Sequence, residues 1–122
     1  MSSQREVVVV SGVRTAIGDF GGNLKDVPLA NLAAAVVKES VQRAGVDPAE
    51  VGHCVFGNII HTEPRDMYLG RVAALNGGLP QETPALTLNR LCGSGMQAII
   101  SAAQMILMGD CDVAVAGGAE NM

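Results

Sequence analysis

The chain has 122 residues, of which 48% are hydrophobic and only 2% aromatic, and its formal net charge is −4. That length accommodates one domain with its own core, and the apolar content argues against disorder. Eight basic residues, scattered without forming a stripe, argue against a nucleic-acid-binding surface.

The N-terminus, Met1-Ser2-Ser3-Gln4-Arg5-Glu6, is polar and leads into a short valine run, unlike a secretory signal. No apolar run approaches the length expected to span a bilayer, so no membrane partner is expected. Three cysteines are an odd number and none pairs at metal-ligand spacing, so neither a disulfide framework nor a metal site is expected. A reducing, cytoplasmic compartment follows, with a matrix location after loss of a transit peptide as the alternative.

Val7 to Val10 is an unbroken β-branched run ending at Ser11-Gly12, the pattern of a strand buried on both faces. Gly18, Gly21 and Gly22 then break any helix. From Pro28 to Ala44, Leu29, Leu32, Val36, Val37, Val41 and Ala44 recur at helical steps, with Asp26 or a neighbour as cap, Pro28 in the first turn and Gly45 as the stop. Asp47-Pro48-Ala49-Glu50 reads as a capped single turn.

His53 to Ile60 reads as a second strand, followed by a polar loop to Asp66 and a helix from Met67 to Leu75. Ala85 to Leu88 is a third strand, Ser94 to Met108 a helix, and Asp112 to Ala116 a fourth strand ending at Gly117-Gly118. Alternating strands and helices predict an α/β fold with a layered, mostly parallel sheet. In the helix after residue 93, Ser94, Gln97, Ser101 and Gln104 form one narrow polar stripe and nearly all else is apolar. Such a helix expects to be buried from more than one direction, beyond what one sheet supplies. The chain stops just after a strand and two glycines, where a ligand-facing loop would be expected, so it reads as truncated.

The segment Asn89-Arg90-Leu91-Cys92-Gly93-Ser94-Gly95-Met96 joins the third strand to that helix. Near a helix N-terminus, unpaired N–H groups and the dipole favour a negatively charged sulfur. Gly93 and Gly95 leave room for a bulky substrate, and the same N–H groups suit an oxyanion. Thiolates exchange readily with thioesters, so the pattern fits an activated nucleophile. The plain alternative is a buried small hydrophobe beside a helix start. Local physics does not choose the substrate.

Three motifs in order carry a resemblance: Val10-Ser11-Gly12-Val13-Arg14-Thr15-Ala16-Ile17-Gly18, the cysteine segment, and Ala116-Gly117-Gly118-Ala119-Glu120-Asn121-Met122. From Val7 to Met122 the chain resembles the N-terminal part of the thiolases, the acetyl-CoA acetyltransferases and 3-ketoacyl-CoA thiolases. Gly93-Ser94-Gly95 resembles true thiolases more than ketoacyl synthases, and Thr62-Glu63-Pro64-Arg65-Asp66-Met67-Tyr68 resembles the corresponding loop of bacterial β-ketothiolases of broad chain-length range. Asn121 stands where serine is commoner in the family.

The resemblance implies part of the N-terminal half of a thiolase-like layered fold, with the C-terminal domain absent. It implies an acyl-CoA C-acyltransferase of fatty-acid metabolism with Cys92 as nucleophile, whose backbone N–H belongs to an oxyanion hole. Coenzyme A thioesters would be substrates and no cofactor is implied. A histidine that activates the cysteine and a second cysteine that moves the substrate proton lie in the family's C-terminal region, with much of the coenzyme A pocket. The chain alone is therefore expected to be inactive. A homodimer or homotetramer is implied, with Asn89 and its neighbours at a subunit contact. The alternatives are a non-catalytic interaction fragment and a redox-responsive thiol protein using Cys92.

The other chemically capable residues read as structural. His53 opens an apolar strand, and His61 lies in a loop that could reach a pocket mouth. Cys54 reads as packed, and Cys111 as a poor nucleophile between Asp110 and Asp112. Met96, Met105 and Met108 read as core filler. Arg14, Arg65, Arg71 and Arg90 are dispersed and no glycine loop cradles a phosphate, while Gly117-Gly118 lacks dinucleotide spacing.

Overall fold

The structure, a computed structural model, describes residues 5–122; Met1 to Gln4, four of the six residues of the polar N-terminus noted above, lie outside the described residues. Three parallel strands form one sheet: β1 (His53–Gly57), β2 (Ala85–Leu88) and β3 (Ala114–Gly118), in the spatial order β2-β1-β3. Three α-helices accompany them: α1 (Leu29–Ala44), α2 (Leu69–Asn76) and α3 (Ser94–Met108). The α/β class and parallel sheet are as the sequence predicts.

The central strand is covered on both faces, and its side chains alternate between two cores. Cys54 and Phe56 point into a cluster with Leu29, Ala33, Val37 and Val41 of α1 and Leu69 and Ala73 of α2. Val55 points the other way, against Ala98 and Ala102 of α3. Complete burial of side chains such as Phe56, Leu69 and Val37 contributes roughly 1.5–3 kcal/mol each.

The chain leaves β1 in one direction to form β2 and returns past it to form β3, with α2 and α3 on opposite faces. Right-handed crossovers running opposite ways require that placement. All three strands end at the same edge, at Gly57, Leu88 and Gly118, which are in register. Reversal of strand order there marks the carboxyl ends as the edge where a crevice is expected, the usual ligand position in such sheets.

Several boundaries differ from the sequence prediction for identifiable reasons. Helix α1 starts at Leu29 with Pro28 as N-cap and no side-chain cap. Asp26 sits inside a turn closed by Val27 N–H donating to the Leu24 carbonyl at 3.1 Å. Gly45 ends α1 in the left-handed conformation, as predicted, with φ 67°. Strand β1 stops at Gly57 instead of Ile60, because the N–H groups of Ile59 and Ile60 go to the Glu120 carboxylate instead of a neighbouring strand. Strand β3 starts at Ala114, the residue paired with the first residue of β1. A 3-10 turn over Pro64–Tyr68 precedes α2, set up by reciprocal Glu63 and Asp66 bonds.

Two larger expectations are overturned. Val7 to Val10 forms no strand, and Val8, Val9 and Val10 are 63%, 82% and 64% exposed. β-branched residues favour extended backbone, but a strand exists only where a neighbour accepts its ladder bonds, and among the described residues none does. The segment lies instead along an open groove of about 840 Å³, facing β3, α1 and α3.

Helix α3, predicted to be buried, is covered on its sheet side alone. Ser94, Ala98 and Ala102 face the sheet, whereas Met96, Ile99 and Ile100 are exposed. The stretch Leu91–Met108 is also long and apolar enough by composition to cross a membrane, with a mean hydropathy of 1.4 over 18 residues, contrary to the sequence expectation. Its α-helix covers 15 residues, about 22 Å, short of the roughly 30 Å hydrocarbon core. Its packing against β1 and β3 is that of a sheet-covering helix.

Candidate functional site

The edge at the carboxyl ends of the strands, where that crevice is expected, carries three connections. The first is the turn between β2 and α3 that carries Cys92. Asn89 follows β2, and its Oδ1 accepts the Leu91 N–H at 3.0 Å. The Arg90 N–H donates to Ser94 Oγ at 2.7 Å, and Ser94 Oγ in turn donates to the Leu91 carbonyl at 2.7 Å. The N–H groups of Gly93 and Ser94 donate to the carbonyls of Arg90 and Leu91, at 3.1 and 3.0 Å. Leu91 takes a left-handed backbone conformation with φ 50°, the one described non-glycine residue to do so.

Cys92 sits at the apex of this turn, exposed and free of any disulfide. The N–H groups of Arg90, Leu91, Gly93 and Ser94 are all engaged. Among the described residues nothing accepts from the N–H of Cys92. The donors expected around the sulfur are thus narrowed: Gly93 and Ser94 are occupied, and Cys92 is left over with the first-turn groups of Gly95 and Met96. Among the described residues, Cys92 is the one member of Arg90 to Ser94 whose N–H is unengaged.

The second connection joins β1 to the segment after β3. Asn58 is wholly buried, its Nδ2 donating to the Ala119 carbonyl and to Glu120 Oε2, both at 3.0 Å. Glu120 Oε1 accepts the Ile60 N–H at 2.6 Å. Asn121 Nδ2 donates to the Val27 carbonyl at 2.9 Å, tying this segment to the start of α1. The third connection is the loop closed by buried Asp66, whose Oδ2 accepts the N–H groups of Thr62 and Glu63 and the Thr62 hydroxyl.

Of the remaining candidates, His61 belongs to the third connection, and the others lie elsewhere or are engaged. His61 is exposed in the loop after Ile60, while His53 is half-buried at the far end of β1 with its Nδ1 buried and unpaired. Cys54 is packed in the core as predicted, and burial pushes its thiol up to about 12. The Cys111 thiol is also raised, first by burial and then by Asp110 and Asp112, with Arg5 opposing them. Burial, beyond the flanking carboxylates expected from the sequence, is the larger cause. Arg65 pairs with Glu63 at 3.0 Å, Arg71 holds the carbonyls of Thr83 and Gln81, and Arg90 bonds Gln97. Arg14 donates to the Thr15 carbonyl. Among the described residues no group of three or more His, Cys, Asp or Glu side chains is placed to hold a metal ion.

Sequence reasoning missed Ser94, Asn58, Glu120 and Asp66 as organisers of the crevice. The available signals were a polar residue at a strand's end, Asn58, and a carboxylate just past a strand's closing glycines, Glu120.

Comparison with known proteins adds an independent line. Residues 7–122 match the family model described as the thiolase N-terminal domain. The chain is 71% identical over 118 residues to the β-ketothiolase BktB of Cupriavidus necator, covering 97% of this chain and 30% of that protein. It is 46% identical over 116 residues to a cytosolic acetyl-CoA acetyltransferase of Rattus norvegicus, covering 95% of this chain and 29% of that one. The crystal structure of the Bacillus anthracis acetyl-CoA acetyltransferase superposes with a TM-score of 0.89 at 43% identity, over 94% of this chain and 29% of that chain. Human mitochondrial 3-ketoacyl-CoA thiolase, solved in complex with CoA, superposes with a TM-score of 0.81 at 39% identity, over 84% of this chain and 26% of that chain. The sequence therefore spans about three-tenths of the length of these relatives, and the chain belongs to the thiolase family, aligning with its N-terminal domain.

Proposed function

We propose that this chain is the nucleophile-bearing part of an acyl-CoA C-acyltransferase of the acetyl-CoA acetyltransferase or β-ketothiolase kind, with Cys92 as the acyl acceptor. The observation that carries this reading is the apex of the turn, where, among the described residues, an exposed cysteine keeps its own N–H unengaged while those of Leu91 and Gly93 on either side are occupied.

In this reaction the Cys92 sulfur, as thiolate, attacks the carbonyl carbon of an acyl-CoA thioester. The oxygen becomes an oxyanion, which the Cys92 N–H is oriented to receive. Collapse re-forms the carbonyl, breaks the bond to the coenzyme A sulfur, and leaves the acyl group on Cys92; coenzyme A departs and takes up a proton. A carbanion from acetyl-CoA then attacks the acyl-cysteine, forming a carbon–carbon bond and releasing the Cys92 thiolate with a 3-ketoacyl-CoA. Thiolytic cleavage runs the same steps backwards.

Proton transfer needs a base, and neither histidine of this chain is suited: His53 opens β1 at the opposite end from the crevice and His61 lies in an exposed loop. By the family resemblance, the activating histidine and second cysteine come from the remaining length of a complete thiolase, which would also cover the exposed apolar sides of α3. The 71% identity to a β-ketothiolase favours a similar range of acyl chains. A homodimer or homotetramer with no cofactor, in the cytoplasm, completes the reading.

The test joins this chain to the remaining portion of the 71% identical β-ketothiolase, giving a full-length enzyme. Incubation with acetyl-CoA is expected to add one acetyl group, located on Cys92 by peptide mass spectrometry and absent in Cys92→Ala. A folded enzyme that never carries the adduct would overturn the assignment. A reversible sulfenic acid without acylation would favour the redox-thiol alternative.

A further inference from the structure

We propose that Ser94 is a positioning residue for the nucleophile turn: its hydroxyl locks Leu91 in the left-handed conformation and so holds the Cys92 N–H where an oxyanion would form. The inference rests on the reading of Cys92 as nucleophile. It assigns a role to a side chain that contacts no substrate.

Ser94 is only 2% exposed, yet its hydroxyl is fully used within the turn. It accepts from the Arg90 N–H and donates to the Leu91 carbonyl, each at 2.7 Å. These are the groups on either side of the Leu91 torsions. The bonds thus close a ring around the one residue of the turn whose backbone is unfavourable. A left-handed conformation is unfavourable for a non-glycine residue, and the two hydrogen bonds offset that strain. Leu91 itself is 69% exposed, so side-chain burial does little to hold it there.

The clamp is anchored to the sheet. Ser94 lies against Gly57, the last residue of β1, so closely that a Cβ on Gly57 would meet the Ser94 carbonyl carbon and Cβ at 2.8 Å. Gly57 is paired with Leu88 on one side and Gly118 on the other. The hydroxyl therefore sits at a fixed height above the strand ends. Without it, the Arg90 N–H is unpaired and the Leu91 carbonyl keeps only the bond from the Ser94 N–H, so the hold on the left-handed Leu91 torsions is weakened. Rotation there swings the peptide that carries the Cys92 N–H relative to the sulfur. Misplacement of a catalytic group by about 1 Å costs roughly 100-fold in rate.

The experiment uses the full-length enzyme described above, unsubstituted and as Ser94→Ala and Ser94→Cys, with folding checked by thermal melting. Two rates are read at Cys92: acetylation by saturating acetyl-CoA, which needs the oxyanion donor, and alkylation by iodoacetamide, which needs only an accessible sulfur. Ser94→Ala is expected to slow acetylation roughly 30- to 100-fold, with KM within about threefold and alkylation within about threefold. Ser94→Cys, isosteric but a weaker hydrogen-bonding partner, falls between; should the alanine variant fail to fold, it reads the same split. Acetylation unchanged in a folded variant overturns the proposal, as does an equal fall in acetylation and alkylation, which would mark a merely structural role. If the folded, unsubstituted enzyme is not acetylated on Cys92, the nucleophile reading itself fails and this inference falls with it.

Discussion

The Glu120 carboxylate, two residues past the end of β3, accepts the Ile60 N–H at 2.6 Å across the mouth of the crevice. The same carboxylate accepts from Ile59 and from the Asn58 amide. One side chain thus takes over the hydrogen-bonding role that a continued strand would have filled, and it turns the chain away from the sheet at Gly57.

Glu120→Ala strands those donors, and bonds to a charged acceptor contribute about 1.5–3 kcal/mol when they are removed unmatched. The expected loss of stability in the full-length enzyme is about 2–3 kcal/mol by urea denaturation. Glu120→Gln keeps one acceptor oxygen and should lose about half as much. Equal stability of all three proteins would show that water replaces the carboxylate without cost.

Asp66 makes a second test of a buried carboxylate. It is 0% exposed, and Oδ2 accepts three hydrogen bonds from Thr62 and Glu63. Asp66→Ala is expected to destabilise by about 3 kcal/mol and to expose the 61–68 loop to limited proteolysis. Asp66→Asn, which keeps one acceptor, should be cut more slowly than the alanine variant. An uncut loop in both would contradict the structural role.

Leu91 can be probed through its backbone alone, because its side chain is exposed. Glycine adopts φ 50° without strain but orders a freer chain, so Leu91→Gly should leave the melting temperature nearly unchanged. Leu91→Val places a β-branched residue in the left-handed region and should cost about 1–2 kcal/mol. Valine as stable as glycine would mean that the turn does not hold the left-handed conformation.

Cys54 gives a pH dependence. Burial raises its thiol from 9.0 to about 12, so between those values the folded state keeps a proton that the unfolded chain has released. Stability is therefore unaffected below pH 9 and falls as pH rises toward 12, by up to about 1.4 kcal/mol per pH unit. Cys54→Ala removes this contribution, so its stability should decline less steeply over the same alkaline range. Parallel urea-denaturation profiles for the two proteins would exclude the linkage.

Much of the architecture is legible residue by residue. Helix α3 runs from Ser94 to Met108 and β2 from Ala85 to Leu88, as their patterns predict, because both begin and end at glycine, proline or polar punctuation. Gly45 stops α1 through a local torsional preference that needs no partner. The segment around Cys92 is equally readable, since a cysteine between glycines at a strand-to-helix turn is a local pattern.

What the sequence by itself determined was the order and class of the elements and the identity of the candidate nucleophile, because propensity, periodicity and capping act over a few neighbouring residues. Only the tertiary structure decided that Val7 to Val10 finds no strand partner among the described residues, that β1 yields at Gly57 to Glu120, and that Ser94 closes the turn beneath Cys92. Strand pairing and carboxylate capping join residues some sixty positions apart, and the Ser94 clamp, though local, depends on a torsion at Leu91 and a close approach at Gly57. Those relationships exist only once the chain has met itself in space.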